Sequence, residues 1–402
     1  MSEDDSTVRL PGKPASKRST TGKYDEPVTE PAFGGEYAAE PTTQYEPGNV
    51  TFQQPAYPEA EREDRTLLLG SGGWGPEPPP PPRPRDRLIV HLGWEILLVL
   101  LLVSGGIWLG SVQIGLFSGV DVRALEMNIA VIGALAIAMS LSLRAAVPNL
   151  AIGAFAVLSG ALFVYWVADR GLTTALGLAV GVALLGGLAL GVVVAIFHVP
   201  GWTASLVAVC GALVALGSIN HGRAMTVPAG THLPNVGGQA ALWGSAVLAA
   251  SIVLGFFGLM PPIRRAVGAF RPAGDPAVRS TPGAALMVAV AFTLSAGIAA
   301  GAGVLSAMNT KATETDALLP YTLLALGAAL LGGVSAYGRR GGMLGTAVAT
   351  VAICLALQVG VARGWPVTVT TYAVAGGAIL LGLVVTRLVE WGGRAREQDV
   401  VQ

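Results

Sequence analysis

Charge is scarce in this chain. Of its 402 residues only 12% are Asp, Glu, Lys or Arg, about half the share usual in soluble globular proteins. There are two cysteines, Cys210 and Cys354, each inside an apolar run and without metal-ligand spacing, so both read as small core hydrophobes. No Gly-rich loop ends in Gly-Lys-Ser/Thr, and there is no HExxH, GxSxG or Cys/His array. P-loop hydrolysis, zinc proteolysis and esterase chemistry therefore lack their parts, and no enzyme is expected. His91, His198, His221 and His232 are scattered along the sequence, and His91 reads as a local pair with Glu95 four residues on. The first 65 residues are polar, so no cleavable signal peptide is expected and the first apolar segment serves as its own insertion signal.

What remains is apolar and small. Apolar residues make up 52% of the chain, glycine occurs 54 times, and the mean hydropathy is +0.60. Those values suit an all-α polytopic membrane protein whose helices pack through small side chains. The net charge of zero hides a split: residues 1–87 hold 10 basic and 15 acidic residues, residues 88–402 hold 15 and 10. Residues 1–85 are rich in Pro, Glu, Ser, Thr and Gly; they lack periodicity and read as a disordered cytoplasmic tail. The run Pro78 to Pro82 is a polyproline II spacer. Residues 86–392 form the transmembrane domain and 393–402 a short cytoplasmic C-terminal tail.

Ten apolar segments reach the roughly 20 residues a bilayer demands: 88–110, 122–143, 149–168, 172–196, 201–219, 239–259, 284–307, 318–336, 341–361 and 367–389. With the N-terminus inside, the cytoplasmic segments carry 13 Arg/Lys against 5 outside, which predicts both termini in the cytoplasm. Glu95 lies about two turns into the first span and is within snorkelling reach of the interface. Beyond it the span centres carry no Asp, Glu, Lys or Arg. Ion-coupled transporters usually place such groups near the midplane, so any transport work points to an energy source on another subunit.

Two polar segments interrupt the apolar pattern. Residues 261–279 form the most basic loop, with Arg264, Arg265, Gly268, Arg271, Asp275 and Arg279, and a short amphipathic helix over 263–270 could dock on a cytoplasmic partner. Between spans eight and nine the chain reads Gly332-Gly333-Val334-Ser335-Ala336-Tyr337-Gly338-Arg339-Arg340-Gly341-Gly342-Met343-Leu344-Gly345. Glycines at this density permit close backbone approach, and the positive-inside rule accounts for the two arginines.

This bend resembles the Gly-Gly-x-Ser-x-x-Gly-Gly-x-Gly-x-x-x-Gly string of permease subunits of ABC importers of the ribose and branched-chain amino acid class, the sugar branch most of all. It matches at Gly332, Gly333, Ser335, Gly338, Gly341 and Gly345 and departs at Arg339. Val147-Pro148-Asn149-Leu150-Ala151-Ile152-Gly153 occupies the place of that family's Gly-Ile-Asp-Leu-Ser-Val-Gly, with Asn149 for the acid and Ala151 for the serine. Val199-Pro200-Gly201-Trp202-Thr203 and Ser295-Ala296-Gly297 through Gly303 are similar to two further motifs. The resemblance spans about 88–390.

It implies a multi-pass permease in a bacterial cell membrane. The implied partners are an ATP-binding cassette subunit holding ATP and Mg, an extracytoplasmic solute-binding protein and a second permease copy. A sugar such as ribose or xylose is the implied solute, and the path is implied to lie between the copies. The 261–279 loop would couple to the ATPase, and Asn149, Ser159, Trp202 and Thr203 are candidate path residues. Two alternatives stand beside this reading: a ten-span drug/metabolite exporter working alone, and a non-transporting scaffold acting through its tail.

Overall fold

The computed structural model describes residues 88–221, 223–260, 281–313, 315–335 and 342–392, all within the compact unit Pro81–Gln402. The tail 1–85, the loop positions 261–279, Gly338, Gly341, the C-terminal residues 393–402 and the His91 side chain lie outside the described residues.

Among the described residues the chain is a bundle of ten α-helices: α1 Leu88–Val112, α2 Gly119–Arg144, α3 Ile152–Arg170, α4 Leu172–Phe197, α5 Gly201–Asn220, α6 Ala240–Leu259, α7 Pro282–Thr310, α8 Leu318–Leu331, α9 Met343–Ala362 and α10 Val367–Gly392. Nine are long and apolar enough to cross a membrane. The protein is thus a polytopic helical membrane protein, and the ten helices follow the ten expected segments in order.

α8 differs from expectation. The sequence predicts a full span over 318–336, yet the helix has 14 residues, about 21 Å at 1.5 Å per residue against about 30 Å of hydrocarbon. Its end is set chemically. Gly333 takes φ +88°, its N–H donates to Leu330 O, and the Val334 N–H donates to Ala329 O. This is the paired bond pattern that closes a helix on a left-handed residue.

α2 and α3 form the inside of the bundle, each with 72% of its span buried, whereas α1 has 11% buried. α2 packs on α6, α7, α8 and α9, while α3 packs on α4, α5, α7 and α8; α1 touches α9 and α10. The outer helices show large apolar side chains such as Leu100, Ile107, Phe197, Val214 and Leu380. So continuous an apolar surface belongs against lipid or a membrane partner.

The inner crossings rely on missing side chains. A Cβ on Gly303 of α7 would stand 1.9 Å from Ala156 O of α3, and one on Gly345 would stand 2.1 Å from Gly332 O. Without a hydrophobic driving force inside lipid, such close backbone packing is what holds helices together.

Candidate functional site

Three features carry polar chemistry in this apolar bundle. The first is the break between α2 and α3. α2 ends at Arg144 with Ala146 in the left-handed region (φ +57°), and α3 begins only at Ile152. Ser295, which touches this break, lies 13 residues from the start of α7 and 15 from its end, so the break sits about 20 Å from either end of that helix. Irregular backbone buried inside an apolar bundle survives only when the protein satisfies its polar groups.

Here it does so from four helices. The Asn149 N–H donates to Ser142 Oγ of α2 at 3.2 Å, and Asn149 Nδ2 donates to Ser295 Oγ of α7 at 2.8 Å. Asn149 Oδ1 accepts from the Ala151 N–H at 3.0 Å, the Asx-turn bond for which asparagine is suited. The Leu150 N–H donates to Ser205 Oγ of α5 at 3.1 Å, and the Gly153 N–H to Thr322 Oγ1 of α8 at 3.1 Å. A Cβ at Gly153 would overlap the Leu318 carbonyl, which explains a glycine there.

The second feature is the bend. Gly332 and Gly345 lie in backbone contact, and α1 reaches both sides of the crossing. Trp94 Nε1 donates to Leu331 O at 2.9 Å, and Glu95 Oε1 accepts from the Gly345 N–H at 3.4 Å. Glu95 is 8% exposed, so it does not snorkel outward as the sequence suggests; it turns inward to the first turn of α9, where a helix N-terminus favours an acceptor. Ser335 is buried beside the bend. Trp94→Phe keeps the packing and removes the indole donor. It is expected to cost about 1 kcal/mol, read as a lower unfolding midpoint in detergent, while Trp108→Phe on the exposed face of the same helix leaves the midpoint unchanged.

The third feature is a cavity of about 760 Å³ at the bundle end opposite the bend. It opens among α2, α7, α8, α9 and α10. Its polar lining includes Asn128, Ser306, Asn309, Tyr321, Thr370 and Thr371. Tyr321 Oη and Ser306 Oγ are hydrogen-bonded at 3.0 Å. Over the cavity the 223–227 segment pairs with the α7–α8 connection: Val227 N–H donates to Lys311 O at 2.9 Å, and Thr313 N–H to Met225 O at 2.8 Å.

The four path candidates from the sequence do not share one space. Asn149 is fully buried in the break. Ser159 donates to Ala179 O at 3.3 Å and borders an apolar groove of about 240 Å³ between α3, α4 and α5. Trp202 is half-exposed on the bundle surface, and Thr203 Oγ1 donates to Pro200 O at 2.6 Å at the start of α5. None of the four lines the 760 Å³ cavity. The sequence reasoning also missed the cavity residues. One available signal was the hydroxyl-rich opening of the tenth span, Thr368, Thr370, Thr371 and Tyr372. Asn309 and Thr310, at the end of the seventh, gave a second.

Comparison with protein-family models, characterised proteins and solved structures finds no match.

Proposed function

We propose that the chain is the permease subunit of an ATP-driven solute importer, as the likeness of its bend and of its 147–153 string to that class implies. The observation that carries this reading is the buried connection between α2 and α3, whose polar groups are held by hydroxyls from four helices. The string that resembles the family falls on this connection, so the resemblance and the polar contacts coincide at residues 147–153. In this reading the cavity at one bundle end, where hydroxyls and amides stand among apolar side chains, would serve as an entrance. A sugar is the solute class implied by the resemblance, with the ATPase bound at the 261–279 loop and a second permease copy alongside.

The test is biochemical. Reconstituted with an ATP-binding cassette subunit from the same genome, the purified protein is expected to raise ATP hydrolysis, and Arg264→Ala with Arg265→Ala is expected to abolish that stimulation while the unfolding midpoint stays put. Absence of any stimulation by the unaltered protein would sink the importer reading.

A further inference from the structure

We propose that the 760 Å³ cavity is a blind pocket in each copy that binds one small uncharged hydroxylated molecule, of the monosaccharide or polyol class, without conducting it. The inference goes beyond the importer reading and does not depend on it. Within that reading the pocket receives solute at one bundle end, while the path runs between two copies as the resemblance implies.

The pocket is closed at depth. Ile132 of α2, Leu324 of α8 and Leu357 of α9 line its lower end. About one helical turn deeper on the same three helices stand Ala136, Ala328 and Cys354, each 0% exposed. They pack with Ile132 and Leu324 in one apolar cluster. A layer packed that closely leaves no passage for a solute. Sideways, toward α3, the hydrogen-bonded Tyr321 and Ser306 form a wall, and the space behind them holds about 10 Å³, the lower limit for one water molecule.

The lining sets the class of ligand. The volume lies within the roughly 300–1,000 Å³ of small-molecule sites. Above the apolar floor Asn128, Asn309, Thr315, Thr368 and Thr371 border one space from α2, α7, the α7–α8 connection and α10. Among the described residues none of these five side chains has a hydrogen-bond partner on the chain. Thr310 and Thr370, by contrast, donate to Ala312 O and Pro366 O. Hydroxyls and amides both donate and accept, which matches a ligand whose own hydroxyls do the same. No Lys, Arg or His is among the described lining residues, and the one acid, Asp316, stands at the exposed rim. A carboxylate or phosphate would therefore lose its hydration without a cationic partner. An apolar molecule would leave the five polar groups unpaired.

The test is thiol labelling of the full chain in lipid nanodiscs, where both ends of the bundle meet water. After Cys210→Ser the one remaining thiol, Cys354, lies beneath the floor and is expected to resist water-soluble methanethiosulfonates. Labelling of Cys354 at the rate of an exposed thiol overturns the closed floor. After Cys354→Ala, Ala317→Cys puts a reporter on the pocket wall and is expected to react. An unreactive reporter overturns the pocket's access to water.

Ribose, glucose and inositol are the probes, with gluconate as a hydroxylated anion and cyclohexanol as an apolar counterpart. A neutral probe is expected to slow reporter labelling about tenfold once it stands at about ten times its half-protection concentration. Gluconate and cyclohexanol are expected to protect far less. Protection by none of the three neutral probes, or equal protection by gluconate or cyclohexanol, overturns the ligand class. Asn309→Ala with Thr371→Val is expected to raise the half-protection concentration about tenfold, while labelling without ligand keeps its rate. An unchanged concentration overturns the role of those side chains. Asn128→Ala on α2 makes the same test where the paired substitution fails to fold. No step uses an ATPase, so lost ATPase stimulation with protection intact counts against the importer reading alone, and lost protection with stimulation intact counts against the pocket alone.

Discussion

Leucine at Gly303 is expected to prevent the bundle from forming, whereas leucine at Gly301, two residues away on the same helix, is expected to be tolerated. The contrast follows from what each new side chain meets. At Gly303 a Cβ would lie 1.9 Å from the Ala156 carbonyl oxygen and 2.4 Å from its carbon. These are backbone atoms of α3, so no rotamer change relieves the overlap and the two helices must separate. Separation would also open the neighbouring contact, where a Cβ on Gly160 would already approach Gly303 O at 2.9 Å. Overpacking in a core commonly costs about 1–3 kcal/mol, and a clash that parts two inner helices belongs beyond that range. At Gly301 a Cβ would meet nothing within 4 Å, and the residue is exposed. Size-exclusion profiles in detergent should show a monodisperse peak for Gly301→Leu and aggregate for Gly303→Leu. Comparable peaks from both would remove the α3–α7 contact as a determinant of the fold.

The fold was legible because membrane insertion imposes one dominant rule. Long apolar runs with basic residues between them can hardly be anything other than spanning helices, and the ten helices appear in that order. α8 escaped the rule at its end. Leu331 to Ser335 reads as continuing apolar sequence, and only the left-handed turn at Gly333 stops the helix. The site was harder to read. Asn149 stood out as a polar residue at a span start, but nothing local shows that its partners are Ser142, Ser295 and, through the neighbouring backbone, Ser205 and Thr322. These separations of up to 169 residues are set by packing, which a hydropathy pattern does not encode. The same holds for Glu95, whose partner on Gly345 is 250 residues away. A carboxylate near a span end is usually a snorkelling group, and only the position of α9 turns this one inward.

Asn149→Leu tests whether the break is held by its polar contacts or merely by the surrounding apolar packing. Leucine has similar bulk, so the substitution chiefly deletes hydrogen-bonding groups. It would leave the Ala151 N–H without the Asn149 Oδ1 acceptor and remove the donor to Ser295 Oγ. Each buried polar group so stranded costs about 1–3 kcal/mol, giving an expected loss of about 2–5 kcal/mol in the unfolding free energy. Ser295→Ala should cost less, about 1 kcal/mol, because the Asn149 amide keeps its bond to the Ala151 N–H and the neighbouring Ser142 still receives the Asn149 N–H. Residues that share a bond couple non-additively, so the double variant should lose less than the sum of the two single losses. Additive losses would mean that Asn149 and Ser295 act independently. A loss below about 0.6 kcal/mol for Asn149→Leu, the average measured for polar contacts between membrane helices, would mean that apolar packing alone fixes where α3 starts. In that case the break would be a consequence of where Pro148 falls in the sequence, and the four-helix convergence on residues 149–153 would be incidental to it.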